Sequence, residues 1–154
     1  MSNLKVEQVR EMFKESLCKP SLFHDDGMLE LPAISFTADE DVIFGTRDSD
    51  YIKKEMDWYD SQSLSIDDML PPIPKIWEQI ASDEGYINSN YGWCLFSEAN
   101  GLQYQACMRE LEKKPLSRRA VMIYTRPTMH LDYKKDGMND FICTNTVQLL
   151  IRNN

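Results

Sequence analysis

The run Asp140-Phe-Ile-Cys-Thr-Asn-Thr-Val-Gln-Leu-Leu-Ile-Arg152 constrains the chain most, because an extended backbone would divide it into two faces that are both partly apolar. Phe141, Cys143, Asn145, Val147, Leu149 and Ile151 share one face, and Ile142, Thr144, Thr146, Gln148 and Leu150 share the other. A strand of that kind needs cover on both sides, so the pattern predicts an interior strand of a layered domain with a cysteine near its entrance. The sequence then ends at Asn153-Asn154, a pair with turn chemistry and no following strand to use it, so the chain reads as ending early.

Upstream, Val6, Val9, Phe13 and Leu17 recur at helical spacing, which predicts an amphipathic helix over residues 4–18 closed by Pro20. His24-Asp25-Asp26-Gly27 has turn chemistry. Met28 to Thr37 reads as a strand interrupted by Pro32, and Val42 to Gly45 as a second short one. Asp48 or Ser49 can cap a helix whose stripe is Ile52, Glu55, Met56 and Tyr59, which sets a carboxylate on the apolar side. Pro71, Pro72 and Pro74 break the chain before a short helical segment, Ile76 to Ala81, that ends near Gly85. An aromatic-rich loop follows, then a helix capped by Ser97 that runs to about Lys114 and is stopped by Pro115. Val121 to Tyr124 is a short strand, and Lys134 to Asn139 a charged turn.

With 154 residues and 42% hydrophobic side chains, the whole of residues 1–154 is expected to form one domain of mixed α and β structure. No run of 18 apolar residues and no basic leader is present, so a cytoplasmic location is expected. The cysteines at 18, 94, 107 and 143 have no CxxC spacing and no paired histidines, which argues against a zinc site or a disulfide framework. No calcium-loop or phosphate-loop motif occurs either. A formal charge of -8 argues against a general nucleic-acid surface. It leaves a small anionic substrate open, because screening over about 8 Å lets two local arginines outweigh distant acids.

Four groups could carry chemistry, each with a plainer alternative. Cys143 is a nucleophile if neighbouring donors hold it as thiolate, and otherwise a small buried hydrophobe. Glu55 on an apolar face is an acid-base candidate if paired and shielded, or else a half-exposed carboxylate. Arg118-Arg119 match phosphate oxygens, though such a pair is often plain solvated surface. Trp77, Tyr91 and Trp93 can stack a planar ring or simply fill a core.

These signals fall in one order: Glu55 before Trp58, Ile76-Trp77, Asn90-Tyr91-Gly92, Ser117-Arg118-Arg119, then Cys143 with Gln148. That order resembles the thymidylate synthase superfamily. The wording of Lys75-Ile76-Trp77, Ile87-Asn88-Ser89-Asn90-Tyr91-Gly92-Trp93, Ile123-Tyr124-Thr125-Arg126-Pro127 and Cys143-Thr144-Asn145-Thr146-Val147-Gln148 is similar to its bacteriophage deoxycytidylate (dCMP) hydroxymethylases. The likeness runs from about Ser35 to Arg152. Thr144 stands where thymidylate synthases carry a histidine, and Ile80 where they carry a second tryptophan.

The resemblance implies an α/β (α+β) fold with a large mixed sheet, flanking helices and a two-fold dimer interface. It implies that Cys143 adds to C6 of a pyrimidine deoxynucleotide, with 5,10-methylenetetrahydrofolate as one-carbon donor, and that Glu55 organises water and proton transfers. It further implies that Arg118 and Arg119 bind the nucleotide phosphate across the dimer, that Gln148 and Tyr91 help form the nucleotide site, and that Trp77 faces the folate. Family chains continue past the position of Asn154 with a return strand, another arginine and the residue that reads the base. The chain therefore pairs either with itself as a homodimer or with a separate C-terminal half. Thymidylate synthase, dUMP hydroxymethylase and an inactive interaction module remain as alternatives.

Overall fold

The structure is a computed structural model and describes residues 3–19 and 27–152. Pro20, most of the turn at 24–27 and the Asn153-Asn154 pair lie outside the described residues. The chain divides into two compact units, residues 1–49 and 50–154.

In the first unit, strand β1 (Leu4–Lys5) leads directly into helix α1 (Val6–Ser16) and pairs in parallel with β2 (Phe36–Thr37). Asp39 accepts the free N-terminal amide of the helix at Val6, 3.0 Å away. The Val6 and Val9 side chains are buried, as the spacing predicts, but Leu17 is 62% exposed. The strand expected from Met28 survives only as Phe36–Thr37, because Pro32 and a left-handed Ala33 (φ 58°) break the extended backbone. Val42 to Gly45 forms no strand. Arg10 takes the Ile43 carbonyl at 2.7 Å instead, and Phe44 packs edge-on against Phe13.

The second unit holds the remaining helices. Helix α2 (Ser49–Ser61) buries Trp58 and half-buries Tyr51, Glu55 and Tyr59, while Ile52 and Met56 face solvent. The stripe is thus rotated from the one expected, toward the aromatic residues, whose larger area repays burial. Helix α3 (Lys75–Ile80) sinks Trp77 against Trp58, and the two join Ile66, Met69, Ala81 and Ile87 in one core cluster. Where a loop was expected, α4 (Tyr91–Phe96) forms, capped by Asn90, whose side chain accepts from Trp93 N at 2.8 Å. Ser97 caps only a 3-10 turn at Glu98–Asn100. Gly101 and Leu102 both adopt left-handed conformations, so the long expected helix restarts as α5 (Gln103–Lys113).

Strands β3 (Val121–Ile123) and β4 (Thr146–Gln148) pair antiparallel, with Met122 opposite Val147. Single bonds from Tyr124 N to Asn145 O and from Leu149 N to Ala120 O extend the pairing by one residue each way. Val147, Leu149 and Ile151 pack on Cys107, Leu111, Ala120 and Met122, so one face of the opening run behaves as predicted. The rest is a correction. Asp140 to Asn145 is irregular backbone, Thr146, Gln148 and Leu150 are exposed, and the strand is covered on one face only. The reason is a long-range contact: the Asp140 carboxylate binds the backbone amides of Asn88 and Ser89, which holds the head of the run outside any strand pairing. Helix α6 (Met129–Asp132) precedes the charged turn, which holds a 3-10 turn at Lys135–Gly137. Mixed helices and two small sheets make an α+β architecture.

Candidate active site

Helix geometry brings residues i, i+4 and i+8 onto one face, and on α2 those residues are Tyr51, Glu55 and Tyr59. Tyr59 Oη donates to Glu55 Oε1 at 2.8 Å, and Tyr51 lies one turn before Glu55 on the same face, near enough for the carboxylate to act on its phenol. The indole nitrogen of Trp77 in turn donates to Tyr51 Oη at 3.3 Å. Glu55 is therefore the acceptor of one phenol and the close neighbour of a second, neither of which the apolar-stripe reading singled out for chemistry. Burial, reinforced by the neighbouring carboxylate, pushes the Tyr59 phenol far above its ordinary value. Tyr51 moves up as well, by burial first, with the Trp77 bond opposing and Glu55 adding. Both phenols therefore keep their protons at neutral pH and act as donors.

Rings continue the path. Trp77 lies 5.4 Å from Trp58, Trp58 5.5 Å from Tyr59, Tyr59 5.2 Å from Tyr91, and Tyr91 5.1 Å from Tyr124, centroid to centroid. Tyr91 Oη accepts from Thr144 Oγ1 at 3.3 Å, and Thr125 Oγ1 donates to the Thr144 carbonyl at 3.3 Å. The residue after Cys143 is thus tied to the same aromatic wall as Glu55. Cys143 is exposed, and its sulfur lies 3.8 Å from the Phe141 carbonyl.

What holds the segment before Cys143 was not legible as a site feature. Asp140 is only 4% exposed, yet its carboxylate accepts from Asn88 N and Ser89 N, both at 2.7 Å, and from Ser89 Oγ at 2.5 Å. Three donors satisfy the anion that burial would otherwise penalise. Asn88 also donates to the Asp140 carbonyl and accepts from Arg126, whose guanidinium stacks 4.5 Å over Trp93. An Asp at the head of an apolar run, with Asn-Ser elsewhere to receive it, was the available signal.

The arginine pair belongs to a second cluster. Lys114, Ser117, Arg118 and Arg119 line an open cavity of about 580 Å³. Gln148 Nε2 donates to the Arg118 carbonyl at 2.8 Å, so these two expected nucleotide-site residues are neighbours through the backbone. Arg119 is held by Glu110 at 3.2 Å, and Ser117 donates to the same carboxylate oxygen at 2.6 Å. Those bonds, Ser117 first, hold the Glu110 carboxyl below its ordinary value. Trp77, expected to face a folate, is instead largely buried with its indole N–H spent on Tyr51, and Ile76 is the exposed residue beside it. Among the described residues, no group of three or more His, Cys, Asp and Glu is placed to hold a metal ion, and no helix is long and apolar enough to cross a membrane.

A half-buried carboxylate bound by Tyr59, joined through Tyr91 to Thr144 beside an exposed cysteine, is an arrangement of the class that covalent and proton-transfer enzymes use. The comparisons give that class a relative. Deoxycytidylate 5-hydroxymethyltransferases of Enterobacteria phages T4, T2 and T6 are each 56% identical to this chain over 124 residues. The match takes in 80% of the chain and 50% of each relative, so the chain spans about half the length of the curated relatives it matches. No family model matches. The resemblance read from the motifs is thereby borne out: the chain is related to the phage deoxycytidylate hydroxymethyltransferases.

Proposed function

We propose that the chain is a pyrimidine-nucleotide hydroxymethyltransferase that acts on dCMP and adds a hydroxymethyl group at C5, through a covalent adduct to Cys143. The observation that carries this reading is the 56% identity over 124 residues to enzymes named for that reaction. The linkage of Glu55 to Thr144 through Tyr59 and Tyr91 supports it.

In this reading the Cys143 sulfur bonds to C6 of the base and pushes an electron pair onto C5, which then attacks the one-carbon unit. 5,10-Methylenetetrahydrofolate, when bound, supplies that carbon at the formaldehyde level. Glu55 orders water and accepts or returns protons at the base, a task suited to a carboxylate shielded from bulk solvent. The C5 proton then passes to the water that Glu55 orders and tetrahydrofolate departs from the transferred carbon, and the adduct ends when water has joined that exocyclic carbon and the sulfur–C6 bond breaks. Tyr91 forms a wall of the nucleotide site. Arg118 and Arg119, with Gln148 behind them, bind the phosphate, Arg119 being pre-oriented by Glu110. Trp77 contributes to the folate side only as a buried support for Tyr51. The single-domain, thymidylate synthase-like sheet, the two-fold dimer and a place in the host cytoplasm belong to the same proposal. The exposed outer face of β3 and β4, with Val121, Ile123 and Leu150 at 38%, 51% and 49% exposure, supports an association surface.

The test follows tritium release from [5-³H]dCMP in the presence of methylenetetrahydrofolate. Release that Cys143→Ser abolishes is expected. No release, even with the C-terminal half of a phage relative supplied, would sink the reading. Product mass separates hydroxymethyl-dCMP from the products of a thymidylate synthase or a dUMP hydroxymethylase.

A further inference from the structure

We propose that Tyr51 and Tyr59 are positioning residues for Glu55, phenols one turn to either side of it that together fix the carboxylate, Tyr59 by donating to it directly and Tyr51 by standing braced beside it. The inference rests on the reading of Glu55 as the proton-handling group. It goes beyond that reading in naming what sets the group's orientation.

Three observations converge. The two tyrosines sit four residues before and four after Glu55 on α2, so a regular helix sets both rings on the face of that side chain. Each phenol is itself fixed from behind. Tyr51 receives the Trp77 indole N–H, while Tyr59 lies between the rings of Trp58 and Tyr91. Neither tyrosine is free to turn toward solvent without breaking a second contact. An ionised carboxylate has about four acceptor positions, and the phenols occupy only part of that capacity. The rest stays available to a water molecule, which must be held in one direction to add to a substrate carbon. Lysine or arginine in the same places would pair with the carboxylate and lower its basicity, whereas neutral phenols donate without weakening it as a base to the same degree.

The consequence is a division of labour within one turn either side of Glu55. The carboxylate moves protons, and the phenols decide where it points. Tyr51 also couples α3 to the site, since displacement of Trp77 withdraws the donor that holds Tyr51 in place.

Tyr51→Phe and Tyr59→Phe keep the rings and remove one hydroxyl each, and thermal midpoints close to that of the unsubstituted chain would establish that both fold. The first measurement needs no turnover. With glutamate labelled by ¹³C at the carboxyl carbon, infrared difference spectra assign the Glu55 band by its loss in Glu55→Gln. That band is expected to shift in both Phe variants and to stay in place in Tyr124→Phe. A Glu55 band unchanged in both variants would overturn the clamp. The second is tritium release, in which each single variant is expected to lose about 10-fold in kcat with KM for dCMP within about twofold, the worth of one charged hydrogen bond. A shifted band with unchanged kcat would overturn the positioning role. Absence of turnover in the unsubstituted chain would remove the functional reading and the catalytic consequence with it, while the band shift would still decide the clamp.

Discussion

Thr144 Oγ1 donates to Tyr91 Oη across 3.3 Å, and that bond anchors the backbone beside an exposed cysteine to a ring that stacks on Tyr59, the hydrogen-bond partner of Glu55. The two residues are 53 positions apart, and Tyr91 begins a helix while Thr144 lies in irregular chain. A threonine can serve here because it offers a single donor of fixed reach on a stiff, β-branched side chain. The segment carrying Cys143 therefore needs no regular secondary structure of its own. Thr144 holds it at one end, and Asp140, bound to residues 88 and 89, holds it at the other.

Thiol chemistry should separate the four cysteines by burial. Cys143 and Cys18 are exposed, Cys94 and Cys107 buried. Burial, only partly offset by Arg126, also raises the Cys94 thiol to about 11, so little reactive thiolate exists at pH 8. An aromatic disulfide reagent under native conditions is expected to label two thiols quickly and two only on unfolding, and Cys143→Ser should remove one fast equivalent. Fast labelling of Cys94 would contradict the packing around Met129 and Ile142.

Gly92→Ala should be among the most damaging single substitutions in the chain. A Cβ at residue 92 would stand 1.8 Å from the Tyr59 carbonyl oxygen and 2.6 Å from its carbon, both backbone atoms that cannot swing aside. The start of α4 would have to leave the end of α2 and take the Tyr59–Tyr91 contact with it. A loss of about 3 kcal/mol or more is expected from such overpacking. Urea unfolding of the variant beside the unsubstituted chain checks it, and a midpoint unchanged by the substitution would contradict the close approach.

Asn90 is fully buried and uses its whole side chain. Its Nδ2 donates to the Trp58 and Ser63 carbonyls at 2.9 and 2.8 Å, and its Oδ1 caps α4 at Trp93 N. Asn90→Ala strands a buried carbonyl, a half-buried one and a helix terminus, for a loss of about 2–4 kcal/mol. Asn90→Asp should be worse despite its similar shape, since an acceptor would then face two carbonyls. The ranking Asn over Ala over Asp, read from denaturant midpoints, tests the assignment.

Much of this was legible in the sequence, and what was not has physical reasons. Helix α1, the proline break before α3, the short strand at Val121 and the inward face of Val147, Leu149 and Ile151 follow from periodicity and from the missing N–H of proline. Ordered motifs singled out Glu55 and Tyr91, and the structure joins them through Tyr59. The length of the Cys143 strand was not legible, because alternation cannot reveal that Asp140 spends its carboxylate on a distant backbone. The rotation of α2 was hidden for a similar reason. Ile52 and Met56 look more apolar than Tyr51 and Tyr59, yet Glu55 offers the Tyr59 hydroxyl a half-buried partner that lets the ring go inside. Gly101 and Leu102 split the long helix because consecutive left-handed residues stop it, and a leucine gives no sign of that conformation.

Alkaline pH should expose the cost of the buried Cys94 thiol. Its value in the folded chain is about 11, against 9.0 ordinarily, with burial as the main cause and Asp140 reinforcing it. Below pH 9 both folded and unfolded chains keep the proton, and the group's contribution to stability is fully present. Between about 9 and about 11 the unfolded chain loses the proton while the folded chain retains it, so unfolding is drawn forward and stability falls. Cys94→Ala lacks this ionisation. The variant is expected to be less stable than the unsubstituted chain at pH 7, where it has only lost packing, and the gap should narrow as pH rises from 9 toward 11. Denaturant unfolding at a series of pH values measures it, and a gap that stays constant across that window would show that the Cys94 thiol does not titrate as its burial requires.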